Sequence, residues 1–245
     1  MLLYFTQIID ILLLKLMKGG LLMQKGKKLS ILGDSVSTYY GYSNNKEANA
    51  STAYNPCFYT KRLFPWEQTY WGILLKELSL TLCVNNSWSG GNLSGRDNPS
   101  SGVCRASELS TDSGEKPDII IVFMGLNDLG RNVDDEVFYA DYLYTLLTIK
   151  EKYPHAEVFC VNMPDRDAGF RIRTLLFNRR IEEAVHIAGE SFFLVDLYNS
   201  KLNNDVFYMN TLDGLHLDQD GMRMIAEVIK EAMIKNAKFK MSHRD

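Results

Sequence analysis

Five short apolar runs, each about one strand long, constrain this chain more than any other feature. They are Lys28–Leu32, Leu80–Asn85, Asp118–Met124, Glu157–Asn162 and Phe192–Val195. None alternates strictly between apolar and polar residues, which is the pattern of strands covered on both faces. Between the runs the apolar spacing changes to that of helices. Trp71, Leu74, Leu75 and Leu78 share one face. Val137, Phe138, Leu143, Leu146 and Leu147 share another, behind Asp134 or Asp135 as N-cap. Phe177, Ile181, Ala184 and Ala188 form a third stripe; Met222, Ile225, Ala226, Ile229 and Met233 form a fourth, opening at Asp218. This alternation predicts a three-layer α/β/α fold. A five-stranded parallel sheet, in the flavodoxin-like order 2-1-3-4-5, carries helices on both faces.

A chain of 245 residues has room for one such domain and little more. Residues 1–22 stand apart. They are apolar but broken by Asp10 and Lys15, too short for a membrane span and without the features of a signal peptide. An amphipathic surface helix is one reading. Lys18-Gly19-Gly20, however, can be encoded by a purine-rich ribosome-binding sequence just ahead of Met23. We therefore read 1–22 as translated upstream sequence and place a single domain at 23–240, with no stable membrane insertion. A net charge of -3 and the absence of a basic stripe argue against nucleic acid as a partner. Cys57, Cys83, Cys104 and Cys160 contain no C-x-x-C pair, so neither a zinc site nor any other metal is expected. Cys57 and Cys104 lie in loops and could pair, but reduced thiols in a cytoplasmic protein are the expectation.

Four segments carry chemistry, and each follows a predicted strand. Gly33-Asp34-Ser35 sets a serine in a tight turn after the first; alone, such a serine equally caps a helix. Asn85-Asn86-Ser87-Trp88-Ser89-Gly90-Gly91 follows the second. Gly90 can bring a backbone N–H close to a ligand, although a Gly-Gly turn needs no function. Gly125-Leu126-Asn127-Asp128 follows the third, and an Asn amide there is either a turn residue or a fixed donor to a developing oxyanion. Asp213-Gly214-Leu215-His216 precedes the last helix. An Asp three residues before a His can hold the imidazole in one tautomer, cap the helix, or form half of a metal pair. His155 sits at the wrong edge of the sheet, His186 within a helix and His243 in the tail, leaving His216 to reach a site at the strands' C-terminal ends.

Together, in this order, the four segments resemble the four sequence blocks of the SGNH (GDSL-type) hydrolases, over Leu29 to about Lys235. The resemblance implies Ser35 as nucleophile, His216 as base and Asp213 as its orienting carboxylate. It also implies an oxyanion hole made of the Ser35 N–H, the Gly90 N–H and the Asn127 amide. Gly91 stands where many relatives have Asp or Asn, so the glycine that donates is open between Gly90 and Gly91. No cofactor is implied.

The long stretches Gly41–Pro65 and Asn92–Pro117 are candidate substrate walls. They and their flanks bear Tyr39, Tyr40, Tyr42, Tyr54, Tyr59, Trp66 and Trp88, beside Arg96, Arg105 and Asp165. Aromatic rings with polar neighbours suit a sugar, so the expected substrate is a small-molecule or glycan ester bearing an acetyl group. Tyr39, Trp88 and Asp165 are its candidate contacts, though some of these rings can equally pack loops onto the core. A lysophospholipase or thioesterase, an acyltransferase, and a non-catalytic glycan-binding relative are the alternatives. Nothing in the sequence fixes an oligomeric state.

Overall fold

The computed structural model describes residues 26–42, 57–166, 168–202 and 204–242. Residues 1–22, Tyr54 and His243 lie outside the described residues. Five strands form one sheet: β1 (Lys28–Gly33), β2 (Thr81–Ser87), β3 (Ile119–Phe123), β4 (Glu157–Val161) and β5 (Phe192–Val195). Every neighbouring pair is parallel, and the order is β2-β1-β3-β4-β5, as the alternation predicts. The central strands are buried almost end to end, which is why they read as unbroken apolar runs.

Seven helices connect them among the described residues: α1 (Tyr70–Glu77), α2 (Gly102–Arg105), α3 (Leu126–Gly130), α4 (Asp135–Lys152), α5 (Arg171–Ala188), α6 (Asn204–Met209) and α7 (Gln219–Ser242). The chain steps one way from β1 to β2 and the other way from β3 to β5. Right-handed crossovers then put α1 on one face and α4 and α5 on the other. Accordingly α1 packs with α7, and α4 packs with α5. Trp71, Phe138, Tyr142, Phe159 and Phe177 are fully buried between these layers and the sheet. No helix of the described residues is long and apolar enough to cross a membrane.

One expectation needs correction. In α4, Val137 and Leu147 are 51% and 43% exposed. The buried stripe is Phe138, Tyr142, Thr145, Leu146 and Ile149, with the polar Asp141 among them. Val137 and Leu147 stand about 100° off that line, so apolar identity alone misplaced the face. Asp134 does cap the helix, accepting from the Glu136 and Val137 N–H groups. The thiols are unpaired, as expected, and Cys104 faces the Gly95 and Arg96 carbonyls.

The register positions everything that follows. Gly33, the last residue of β1, is level with Ser87 on β2 and Phe123 on β3. The segments after these three strands therefore leave the sheet side by side, at the switch point where loops diverge and ligands bind.

Candidate active site

β1 ends in a turn that only glycine permits. A Cβ on Gly33 would stand 2.5 Å from the Ser37 side chain and 2.7 Å from Ser87 Oγ. The chain then enters a single 3-10 turn, Ser35–Ser37, with Asp34 as N-cap accepting the Val36 N–H at 3.0 Å. Thr38 Oγ1 closes the turn on the Ser35 carbonyl at 2.8 Å. The Ser37 carbonyl accepts from Trp71 Nε1 and from Asn85 Nδ2. Ser35 is thus held rigidly on the buried end of the sheet, with its residue surface only 5% exposed.

His216 reaches it from the loop before α7. His216 Nε2 lies 2.9 Å from Ser35 Oγ, and His216 Nδ1 lies 2.7 Å from Asp213 Oδ2. An ionised carboxylate only accepts, so Nδ1 carries the proton and Nε2 is left to accept from the serine hydroxyl. The other Asp213 oxygen takes the His216 N–H at 2.7 Å and the Leu215 N–H at 3.0 Å. Burial pushes the Asp213 carboxyl up, but these bonds and the imidazole outweigh it and hold it below the usual carboxylate range. The loop is a small closed unit: Leu212 N–H donates to the His216 carbonyl, and Thr211 bridges to Leu217.

A brace missed from the sequence fixes this loop. The Phe58 ring stacks on the His216 imidazole, centroids 3.5 Å apart and planes within 9°. Tyr59 Oη donates to the Leu217 carbonyl at 3.1 Å. The Phe58 N–H donates to Thr38 Oγ1, which ties the brace to the nucleophile turn. Phe58 falls in no periodic pattern, and only its partner on the far side of the chain gives it meaning.

The three candidate oxyanion donors lie on the segments that leave the sheet after β1, β2 and β3. Among the described residues the N–H groups of Ser35 and Gly90 have no acceptor. Gly90 sits at φ +71, where L side chains are strained. The Gly91 N–H is already spent on the Trp88 carbonyl at 3.0 Å, which leaves Gly90 as the free glycine donor. Asn127 Nδ2 donates to the Gly91 carbonyl at 3.0 Å and points its other hydrogen towards Asp34 Oδ2 at a loose 3.4 Å. Its neighbour Asp128 is buried and accepts the Leu93 and Ser94 N–H groups at 2.7 and 2.9 Å, stitching the loops after β2 and β3 together.

Arg105 and Arg131 complete the frame. Arg105 is a buried cation with no ion-pair partner among the described residues. Its guanidinium donates to the Gly33 carbonyl at 3.0 Å, to the Asn86 carbonyl and to the Ser100 and Ser101 carbonyls. Burial pushes it down to about 10. Arg131 Nη1 donates to the Gly90 carbonyl at 2.7 Å and to Asn92 Oδ1.

The candidate substrate contacts fare unevenly. Tyr39 is buried and its hydroxyl is spent on the Phe64 carbonyl, so it packs a wall instead of facing a substrate. Asp165 is mostly covered and paired with Arg171. Trp88 is half-buried in the loop that also carries Gly90. Tyr40 and Tyr42 remain exposed, Tyr42 lying against Trp66 and Trp71. Arg96 is paired with Asp141 and Arg105 is internal. No group of three or more metal-ligating side chains occurs among the described residues.

A doubly wound sheet with a hydrogen-bonded Ser–His–Asp series at its switch point is the architecture of an acylhydrolase. The chain belongs to the GDSL-like lipase/acylhydrolase family, whose pattern matches residues 27–171. That match spans the segments of Ser35, Gly90 and Asn127 and stops short of His216. Solved structures share the fold. One is a Bacteroides ovatus protein assigned as a GDSL-like lipase, 24% identical, covering 86% of this chain and 99% of its own, with a TM-score of 0.66. Others are a Clostridium thermocellum family 3 carbohydrate esterase (16% identical; 88% and 98% covered; TM-score 0.59) and a Corynascus carbohydrate esterase family 2 enzyme with a carbohydrate-binding domain (18%; 86% and 66%; 0.59). No curated protein matches the chain.

Proposed function

We propose that this chain is a serine esterase that removes a short acyl group, acetyl in the first instance, from a carbohydrate. The observation that carries the reading is the unbroken series Asp213–His216–Ser35, with links of 2.7 and 2.9 Å. In this mechanism His216 Nε2 takes the Ser35 proton as Oγ attacks the ester carbonyl carbon. The carbonyl oxygen gains the electron pair and is met by the Ser35 and Gly90 N–H groups and by the Asn127 amide hydrogen that now leans loosely on Asp34 and is released to it. His216 returns the proton to the leaving alcohol, and the carbon–oxygen bond breaks. Water, deprotonated by His216, then attacks the acyl-enzyme by the same roles in reverse, freeing the acid.

The carbohydrate preference draws support from the exposed Tyr40 and Tyr42 rings and from two carbohydrate esterases of the same fold. Ser35→Ala is expected to lower kcat by roughly 10⁴ to 10⁶ with the melting temperature little changed. Wild-type turnover in a folded Ser35→Ala protein would sink the nucleophile assignment. A panel of esters differing in acyl length and alcohol decides the substrate. Fastest turnover of acetylated sugars supports the reading; preference for long acyl chains or thioesters replaces it.

A further inference from the structure

We propose that Arg131 makes this site selective for esters that carry a negative charge close to the scissile bond. The inference rests on the esterase reading and narrows its substrate class. Arg131 caps the end of α3, and its side chain crosses to the loop after β2. Nη1 is fixed on the Gly90 carbonyl and on Asn92 Oδ1. A Cβ built on Gly90 would stand 3.5 Å from Arg131 Nη2. The guanidinium therefore borders the residue whose N–H, on the proposed mechanism, meets the reacting carbonyl, and Gly90 has no side chain to screen it.

A guanidinium has five N–H donors, and the two contacts named occupy only Nη1. Nη2 and Nε have no acceptor among the described residues. Other arginines do find carboxylates: Arg96 with Asp141, Arg171 with Asp165, Arg180 with Asp135, Arg223 with Glu77. Arg131 has none within ion-pair distance among the described residues, in a chain whose net charge is -3. Neighbouring acids do not neutralise it. Asp128 lies buried, spent on two backbone N–H groups, and Asp134 caps α4. Arg173 adds a second cation without a carboxylate partner, anchored on Asn132 and on the Val133 carbonyl at 2.8 Å, the two residues that follow Arg131. Exposed, anchored and uncompensated, such a guanidinium matches the two oxygens of a carboxylate.

If Arg131 served only to hold Gly90, removing it would slow all esters alike. The test separates these roles with pairs that differ in charge and not in size. On the alcohol side the pair is 3-acetoxybenzoate and 3-acetoxybenzamide; on the acyl side it is a hemisuccinate ester and the matching succinamate ester. The wild type is expected to favour the charged member of at least one pair by about tenfold or more in kcat/KM. Arg131→Gln, which keeps a donor for the Gly90 carbonyl, should bring that ratio close to one. Added salt should shrink the wild-type preference, because the group is open to solvent. The proposal is overturned if the wild type shows no preference in either pair, or if Arg131→Gln slows both members equally. Turnover of the neutral esters without any charge preference overturns this inference alone. No turnover of any ester overturns the esterase reading and this inference with it.

Discussion

Asp34 touches the nucleophile's backbone neighbour yet stands outside the series that activates it. Burial pushes its carboxyl up to about 7; the Val36 N–H and the Arg105 charge work against that rise, and Asp128 adds to it. An unfolded Asp loses its proton near ~3.9. Between these values the folded protein keeps a proton that the unfolded chain has released. The contribution therefore favours folding below the unfolded value and is lost as pH rises through the folded one. Asp34→Asn cannot titrate, so its melting temperature relative to wild type is expected to climb between pH 4 and 8. Paired melting curves across that range check it, and a flat difference would contradict the assignment. Asp213 carries the opposite sign. Its depressed carboxyl contributes stability above the ordinary carboxylate range, lost as pH falls below it. Two acids of one site thus bend the stability curve in opposite directions, because one is buried without enough donors and the other is well supplied with them.

At the level of elements, the loops after β1, β2 and β3 are held by side chains from neighbouring loops more than by their own backbone. Arg105 on α2 is the strongest of these ties. Truncating it would strip the guanidinium from the Asn86, Ser100 and Ser101 carbonyls and leave the Gly33 carbonyl with the Trp88 N–H alone, at about 1–3 kcal/mol for each acceptor left unpaired. Arg105→Ala is expected to lose about 3–5 kcal/mol, a fall in Tm of roughly 10 °C for a domain of this size. Calorimetry of the variant measures it directly, and a shift of only a degree or two would show that water replaces the guanidinium. The four chemical segments were legible in the sequence because each is local: a glycine and a polar residue within a few positions, just past a strand end in three of them and just before the last helix in the fourth. Arg105, Arg131 and Phe58 were not, because their partners lie 72, 41 and more than a hundred residues away. The stretch Asn92–Pro117 read as a loop for the same reason, although Asp128 pins its start and Arg105 ties its middle to β1. The face of α4 was misplaced because Val137 and Leu147 are apolar yet sit off the packed stripe.

For the molecule as a whole, the parallel sheet with helices on both faces followed from periodicity and the strand order from the doubly wound class it points to, whereas the register could not, since no local residue specifies which positions stand level. The sheet's first strand begins at Lys28, and its lead-in is fixed by the Gly26 N–H on the Ser79 carbonyl. A chain starting at Met23 is accordingly proposed to melt and to turn over esters as the 245-residue chain does. Side-by-side melting and kcat/KM measurements test this, and a clear loss of Tm would assign the preceding residues a part in the fold. The hydrogen bond between Ser35 and His216 joins positions 181 residues apart. On a ribosome adding roughly 5–20 residues per second, the serine is made some 10 to 40 seconds before its base. Throughout that interval the growing chain holds a nucleophile with nothing to activate it. On the proposed mechanism the long separation acts as a timer: ester cleavage waits until the chain has been made through His216, so activity reports synthesis to that point as well as correct folding.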